Sequence, residues 1–275
     1  MKNFLHTSDP LTSGEWAALM KVVGAVGDST VARRFIETTG PLGAGEQTVP
    51  TEALVGITEG YRNILGSGST RIRPGRRDSG IVPIISKDFV IHWRDLAEAR
   101  LMEQPLSLAK AAAAASSCAR TEDKFVFFGH SALGYDGLMT VPGRNIISRL
   151  KWGSPGDAFE NFKLITRILL EKGFNGPFAA VVHPLIYFDM HRVLNDSSLL
   201  EITHARALLG AGIFRSSLLA PRSGLVVSTG KQNVELVVSV NSSVSFLGSK
   251  NMNLPFRVFK AIYVRISRST SICTF

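Results

Sequence analysis

The sequence predicts an α+β protein in which a long helix in the first half is followed, late in the chain, by antiparallel strands. Residues 107–128 place apolar side chains at helical spacing, include five consecutive alanines, and stop before Gly129. Residues 225–275 indicate strands instead, because β-branched and aromatic residues alternate with polar ones there. We find no internal repeat that would predict a solenoid or a propeller.

The composition is that of a folded chain without a membrane span. The chain has 275 residues, of which 45% are hydrophobic and 19% are charged, which argues against disorder. The longest apolar stretch, 178–188, is too short, since a span needs about 20 residues. Its two cysteines, Cys118 and Cys273, are far apart in sequence, which rules out a disulfide framework and argues against a zinc site. Without a recognisable export signal, we expect a cytoplasmic protein.

The net charge of +9 is confined to the second half of the chain. Residues 1–137 carry 15 basic and 15 acidic side chains, whereas residues 138–275 carry 16 basic and 7 acidic ones. Such a bias suggests a polyanion as partner. No zinc-finger spacing, basic zipper or RNA-binding aromatic signature accompanies it. We therefore expect the basic surface to face an acidic neighbour or solvent, and no nucleic acid.

The N-terminal third predicts one helix followed by an extended arm. Thr12 and Glu15 form a capping-box pattern, with Leu11 and Trp16 placed as its hydrophobic staple. Residues 38–80 are rich in Gly, Ser, Pro and Arg, so they could form an extended hairpin but not fill a core. A segment of roughly 40 such residues is too long for an ordinary connection. It predicts an arm that interacts with another surface.

The rest of the chain alternates between strand and helix patterns. Asp157 and Glu160 form an N-terminal cap pattern that predicts a helix start, and Pro184 predicts another helix that extends to residue 193. The predicted strands are 81–93, Phe178–Val182, 225–228, 234–240, 244–247 and 256–266, and a further helix is predicted at 201–209. In the last strand the alternate residues are apolar, and only Lys260 interrupts their face.

No catalytic or metal constellation is apparent. The segment from Gly129 to Gly134 resembles the G-x-S-x-G nucleophile elbow around Ser131, but its second glycine comes one residue late. The serine also follows a helix, whereas the elbow needs a strand. The histidines lack metal-ligand spacing. We therefore predict that the chain is not an enzyme, with a serine hydrolase using Ser131 as an alternative.

Several segments in a fixed order resemble a known family. They are GPLGAGEQTVP at 40–50, PIISKDF at 83–89, LGYDGL at 133–138 and NLPFRV at 253–258. Together they are similar to the encapsulin shell proteins, also called the linocin-like family. The resemblance implies the tailed-phage major capsid fold. Its parts would be the N-terminal helix and start of the P-domain (1–45), the E-loop (46–80), the P-domain with its spine helix (81–131), the A-domain (132–224) and further P-domain strands (225–275).

The resemblance implies a shell subunit of a nanocompartment. Copies of the chain, 60 or a multiple, would form an icosahedral homo-oligomer around a cargo enzyme that carries a C-terminal targeting peptide. Such cargo is a ferritin-like iron oxidase or a dye-decolouring peroxidase, and we expect the ferritin-like type, for iron storage. An alternative is a phage-type capsid protein that packages nucleic acid.

Site residues follow from the same resemblance. The cargo peptide would dock on Arg33, Phe35, Glu37, Val244 and Phe246, although three of these are apolar and could equally be ordinary core. The five-fold pore would be lined by Asn195, Asp196, Ser197 and Ser198, either to attract cations or as a plain exposed loop. The E-loop would contact a neighbouring subunit through Arg71, Arg73, Arg76 and Arg77, with a nucleic-acid-binding loop as the alternative. Some family members bind flavin against a tryptophan, and Trp93 lies one position from that place. We therefore expect no resident cofactor, with a flavin beside Trp93 as the alternative.

Overall fold

A computed structural model describes residues 10–55, 73–148, 150–194 and 198–275. Its helices are α1 (Ser13–Gly27), α2 (Trp93–Leu101), α3 (Ala109–Phe128), α4 (Asp157–Glu171), α5 (Pro184–Asp189) and α6 (Glu201–Leu209). The strands in the first half are β1 (Glu37–Thr39), β2 (Thr48–Val55), β3 (Arg73–Ile81), β4 (Ile84–Ile91), β5 (Gly129–His130) and β6 (Tyr135–Asp136). Those in the second half are β7 (Asn145–Ile146), β8 (Phe178–Val182), β9 (Gly210–Arg215), β10 (Gly224–Ser228), β11 (Val234–Phe246), β12 (Leu254–Ile266) and β13 (Ile272–Thr274). Among these residues no helix combines the length and apolarity needed to cross a bilayer.

The start of α1 confirms the predicted capping box. The Glu15 amide donates to Thr12 Oγ1 at 3.3 Å, and the Thr12 amide donates to Glu15 Oε2 at 2.7 Å. These bonds satisfy backbone groups that the first turn of a helix leaves without partners. Arg100 of α2 also reaches Glu15, with Nη2 at 2.9 Å from Oε2, and so joins the two helices.

The first sheet has the strand order β1-β11-β12-β4 and packs against α1 and α3. Strands β11 and β12 are antiparallel along their length, from Val234 opposite Ile266 to Phe246 opposite Phe256. The prediction of two separate strands at 234–240 and 244–247 was wrong. One strand covers both segments, because the register shifts between Val238 and Ser243 bend the strand without ending it.

Strands β2 and β3 form the predicted extended hairpin, with Thr48 opposite Ile81 at its base. The base packs on the outer face of the first sheet, where Val49 and Val82 are buried against Val237 and Ala261. Among the described residues this ribbon pairs with no third strand.

The second sheet has the strand order β7-β13-β10-β8-β9. Every residue of β8 is buried, because alternate side chains enter two different cores. Ala179 and Val181 contribute to the core shared with the first sheet, whereas Phe178, Ala180 and Val182 face the core under α4 and α6. The entire strand is therefore apolar, as expected for a strand that is covered on both faces.

Strands β10 and β13 belong to the 225–275 segment and pair within the second sheet. The physical reason is burial: all five residues of β10 are enclosed, so this strand requires neighbours on both edges and cover on both faces. The division into P-domain and A-domain stays a prediction.

Two helix ends also differ from prediction. The cap of α4 is Gly156, at φ +94°, and Asp157 is the first helical residue, whose carboxylate accepts from the Ser154 amide at 2.9 Å. Helix α5 ends at Asp189, four residues before the predicted end at 193.

Candidate functional site

A buried ionic cluster surrounds the predicted cargo-peptide residue Arg33. Its guanidinium donates from Nε and Nη2 to the two Glu122 carboxylate oxygens, at 2.7 and 3.2 Å. Lys260 donates to the same carboxylate and to the Gly27 carbonyl, the latter at 2.6 Å. Asp28 lies 3.4 Å from Arg33 Nη2 and 3.6 Å from Lys260 Nζ. Burial lowers the pKa of Arg33, but the carboxylates outweigh it and hold the pKa above its ordinary value.

Asp123, next to Glu122 on α3, fixes the turn that presents Arg33. Its carboxylate accepts from the backbone amides of Val31 and Ala32, at 3.0 and 2.9 Å. Burial raises the pKa of the Asp123 carboxyl, although those two amide bonds act in the opposite direction. The turn after α1 is thus attached to the spine helix through two adjacent carboxylates with different partners.

The apolar members of the predicted cargo site belong to one core. Phe35 stacks on Phe214 with ring centroids 5.7 Å apart, and Phe246 packs on Phe256 at 5.2 Å. Val244 pairs with Val258 across the sheet and is 4% exposed. The Glu37 side chain, in contrast, is exposed. The structure therefore brings these residues to one region, but only Glu37 offers an exposed side chain without a described ion pair there. Peptide docking stays a prediction.

The predicted pore loop is closed at its base. Val193 and Leu200 form an isolated antiparallel bridge, and the Leu194 amide donates to the Leu199 carbonyl at 3.3 Å. Ser198 is exposed, whereas Asn195, Asp196 and Ser197 lie outside the described residues. The pore role stays a prediction.

The predicted E-loop arginines fall on the hairpin or outside the described residues. Arg73, Arg76 and Arg77 occupy register positions on β3 opposite Val55, Ala53 and Glu52. Arg71 lies outside the described residues. Their contact with a neighbouring subunit stays a prediction.

Trp93 opens α2 and lines a cleft of about 320 Å³ with Pro10, Leu96, Ala97, Arg100, Met252 and Leu254. Its indole already has two stacking neighbours, the His92 ring at 6.1 Å and the Arg94 guanidinium at 5.3 Å. Flavin binding beside Trp93 stays a prediction.

Ser131 lies exposed in a short 3-10 turn that follows the two-residue strand β5 after the spine helix. Within the described ranges, neither a hydrogen bond from a histidine to Ser131 nor a group of three metal-ligating side chains occurs. The strained strand-to-helix turn that a nucleophile elbow requires is not formed by these residues.

Sequence reasoning missed the carboxylates that hold Arg33, although a signal was present. Lys260 is the one charged residue on the apolar face of β12, and a buried ammonium group requires an anionic partner. The adjacent carboxylates Glu122 and Asp123 on the spine helix were the available candidates.

Comparisons with known proteins agree with this architecture. The family model described as "Encapsulating protein for peroxidase" matches residues 1–262. A type 1 encapsulin shell protein of Myxococcus xanthus is 42% identical over 100% of this chain and 96% of its own length. A diheme-cytochrome-encapsulin shell fusion protein of Kuenenia stuttgartiensis is 36% identical over 92% of this chain and 71% of its own.

Solved structures support the fold. A virus-like particle from Pyrococcus furiosus has a TM-score of 0.74 at 14% identity, covering 96% of this chain and 98% of that one. The capsid of Myoviridae phage XM1 has a TM-score of 0.63 at 12% identity, covering 89% and 90%. The tailed-phage major capsid-like fold is thereby confirmed.

The close relatives are structural shell proteins. The alternative of a serine hydrolase using Ser131 is therefore wrong, and the chain is a shell protein rather than an enzyme. On the full-length family match and the 42% identity, the chain belongs to the encapsulin shell-protein family.

Proposed function

We propose that copies of this chain close into an icosahedral shell, of 60 subunits or a multiple, that encloses a separate cargo enzyme in the cytoplasm. The observation that carries this proposal is the β2–β3 hairpin. It is a two-stranded ribbon, anchored at its base by Val49 and Val82. Two strands alone are at best marginally stable in water, so the ribbon requires a further surface. A neighbouring subunit supplies one, and repetition of that contact closes the shell.

Assembly is tested by light scattering and electron microscopy of the purified protein. We expect closed particles in the megadalton range. Val49→Asp should place a charge in the buried base of the hairpin and prevent closure while the far-UV circular dichroism is retained, whereas Val49→Ile should assemble normally. A stable monomer or dimer of the unmodified chain contradicts the proposal.

We propose that the cargo's targeting peptide docks as an extended segment beside β1 and the distal part of β11. Strand β1 pairs only with residues 235–237 of β11, so the described strands leave the same edge of residues 243–246 without a strand neighbour. Extended peptides commonly bind by adding to such an edge. The exposed Glu37 carboxylate would pair with a basic group of the peptide.

Glu37 is the residue to test, because Arg33 cannot be changed without disturbing the fold. Arg33→Glu would set a third carboxylate against Glu122 and Asp28 in a buried cluster. Glu37→Lys should lower the cargo content of purified shells several-fold, with particle size unchanged. Glu98→Lys, an equal charge change at an exposed site on α2, is the control. Equal cargo content in both variants rejects this docking site.

For the cargo itself we propose a ferritin-like iron-oxidising protein. A ring of Asp196 side chains at a pore would favour entry of ferrous ions. The competing class is a peroxidase, which the description of the family model names. Mass spectrometry of natively purified shells identifies the cargo, and a haem absorbance band without iron loading would favour the peroxidase. Nucleic acid in nuclease-treated shells would favour the phage-type alternative.

A further inference from the structure

A cleft of about 290 Å³ lies where the spine helix α3 meets the loop that follows β9. Its lining combines three segments: the turn after α1, one face of α3, and residues 215–218. The lining residues are Ser29, Val31, Ser116, Ala119, Arg120, Asp123, Arg215, Ser216, Ser217 and Leu218. We call it the serine–arginine cleft. It has a volume near the lower limit of small-ligand pockets.

The charge of the cleft is positive. Arg120 and Arg215 are both exposed, and neither forms an ion pair with a described residue. Arg215 is held by aromatic rings instead, with its guanidinium carbon 5.2 Å from the Tyr187 centroid and 5.9 Å from that of Phe188. The single carboxylate in the lining, Asp123, is engaged by two backbone amides. Arg120 and Arg215 therefore both line the cleft, and neither has a described carboxylate as its partner.

Hydroxyl groups complete the lining. Ser29, Ser116 and Ser217 are exposed, and Ser216 is 6% exposed with its Oγ accepting from the Leu218 amide at 3.3 Å. That bond leaves the Ser216 hydroxyl proton free to donate. Four serines and two arginines thus line one small cleft.

We propose that the serine–arginine cleft binds a phosphate group, either free or as the monoester of a small molecule. A phosphate presents more acceptor oxygens than a carboxylate, which suits two guanidinium groups and several hydroxyls at once. Arg120 belongs to α3 beside the first sheet, and Arg215 ends β9 in the second sheet. A phosphate held by both therefore bridges the two sheets and stabilises their relative orientation. This inference does not depend on cargo or on the pore.

Equilibrium dialysis of the purified particles against radiolabelled inorganic phosphate at low ionic strength tests the proposal. We expect saturable binding of one phosphate per chain. Arg120→Gln should weaken it about tenfold, the effect expected for loss of one charge-assisted hydrogen-bonding group. Lys124→Gln removes the same charge one turn further along α3, outside the lining, and should change the affinity less than twofold. Arg215→Lys keeps the positive charge but removes the planar guanidinium that can donate two parallel hydrogen bonds, so it should also weaken phosphate binding.

Adenosine monophosphate in competition distinguishes the two sources of the phosphate group. Tighter binding of the monoester than of inorganic phosphate assigns the cleft to a phosphorylated small molecule, and the reverse order assigns it to free phosphate. Circular dichroism and particle size serve as checks that each variant folds and assembles. Absence of saturable binding by the unmodified particles overturns the proposal, as does an equal loss in Arg120→Gln and Lys124→Gln.

Discussion

Lys260 and Glu122 form an ion pair from which solvent is fully excluded, and this pair joins β12 to the spine helix. Both side chains are 0% exposed, and Arg33 adds a second cation to the same carboxylate. Removing one partner of a buried pair leaves an uncompensated charge, which is more destabilising than the absence of both partners.

Lys260→Met should therefore lower the free energy of unfolding by about 3 kcal/mol, near the lower end of the range for broken buried pairs, since Arg33 still compensates Glu122. Urea unfolding followed by tryptophan fluorescence measures the loss. Arg257→Met on the same strand is the control, because the Arg257–Asp88 pair is exposed and surface pairs contribute little. Equal shifts in the two variants would contradict the role given to Lys260.

Glu15 should make stability depend on pH in the acid range. The hydrogen bond from Arg100 lowers the pKa of the Glu15 carboxyl below 4.5, against a smaller opposing effect of burial. A carboxyl with a depressed folded pKa stabilises the fold fully above its unfolded pKa, and the contribution is lost as pH falls through the folded pKa.

Glu15→Gln keeps a hydrogen-bonding side chain at this capping position but removes the charge. We expect it to be less stable than the unmodified chain by about 0.5 kcal/mol at pH 7, after allowance for solvent screening. The difference should disappear as pH falls well below 4.5. Paired thermal scans at several pH values measure it, and a difference that grows on acidification would be inconsistent with the ion pair.

Gly129 should tolerate no side chain. It ends the spine helix at φ +66° and ψ −152°, a region that is essentially restricted to glycine. An added Cβ would lie 2.1 Å from the Tyr135 carbonyl oxygen. Gly134, at φ +73°, has open space around its Cβ position and is the matched control.

Gly134→Ala should cost about 1 kcal/mol of folding free energy, from backbone strain alone. Gly129→Ala should cost at least about 2 kcal/mol more, because the backbone must also shift to relieve the clash. Denaturant unfolding compares the two variants. Similar losses of unfolding free energy would show that the backbone of the β5–β6 turn can shift at Gly129 at little cost.

Neither cysteine should react with thiol reagents while the protein is folded. Burial raises the pKa of Cys273 to about 12 and also raises the pKa of Cys118. At pH 8, a thiol with such a pKa is ionised in only about one molecule in ten thousand, and the thiolate is the reactive form. A colorimetric disulfide reagent should detect no thiol in native particles and both thiols in denaturant. Rapid labelling of native particles would contradict the buried placement.

Much of the fold could be predicted because local patterns decided it. The capping box at Thr12, the spine helix before Gly129 and the strand Phe178–Val182 each depend on residues that are neighbours in sequence. In these elements propensity, periodicity and burial agree, so the local sequence pattern is enough to predict the element.

The remainder depends on contacts between distant residues. In the sequence, Lys260 is visible only as an interruption of an apolar face. Its role as a buried ion-pair partner can be seen only when Glu122, 138 residues earlier, is placed beside it. The pairing of β10 with β8 in place of a first-sheet strand is likewise set by packing that no local pattern records. The predicted cargo residues came from resemblance alone, which cannot distinguish an exposed Glu37 from a buried Phe35.

The order of strands in the second sheet has a consequence for biosynthesis. Strand β7 pairs with β13 and with no other described strand, and Asn145 of β7 donates to the Ile272 carbonyl, 127 residues later. During translation, β7 therefore stays unpaired until β13, near the end of the described sequence, has been synthesised. Contacts of such long range in sequence are slow to form. The second sheet is therefore completed late in the folding of the chain.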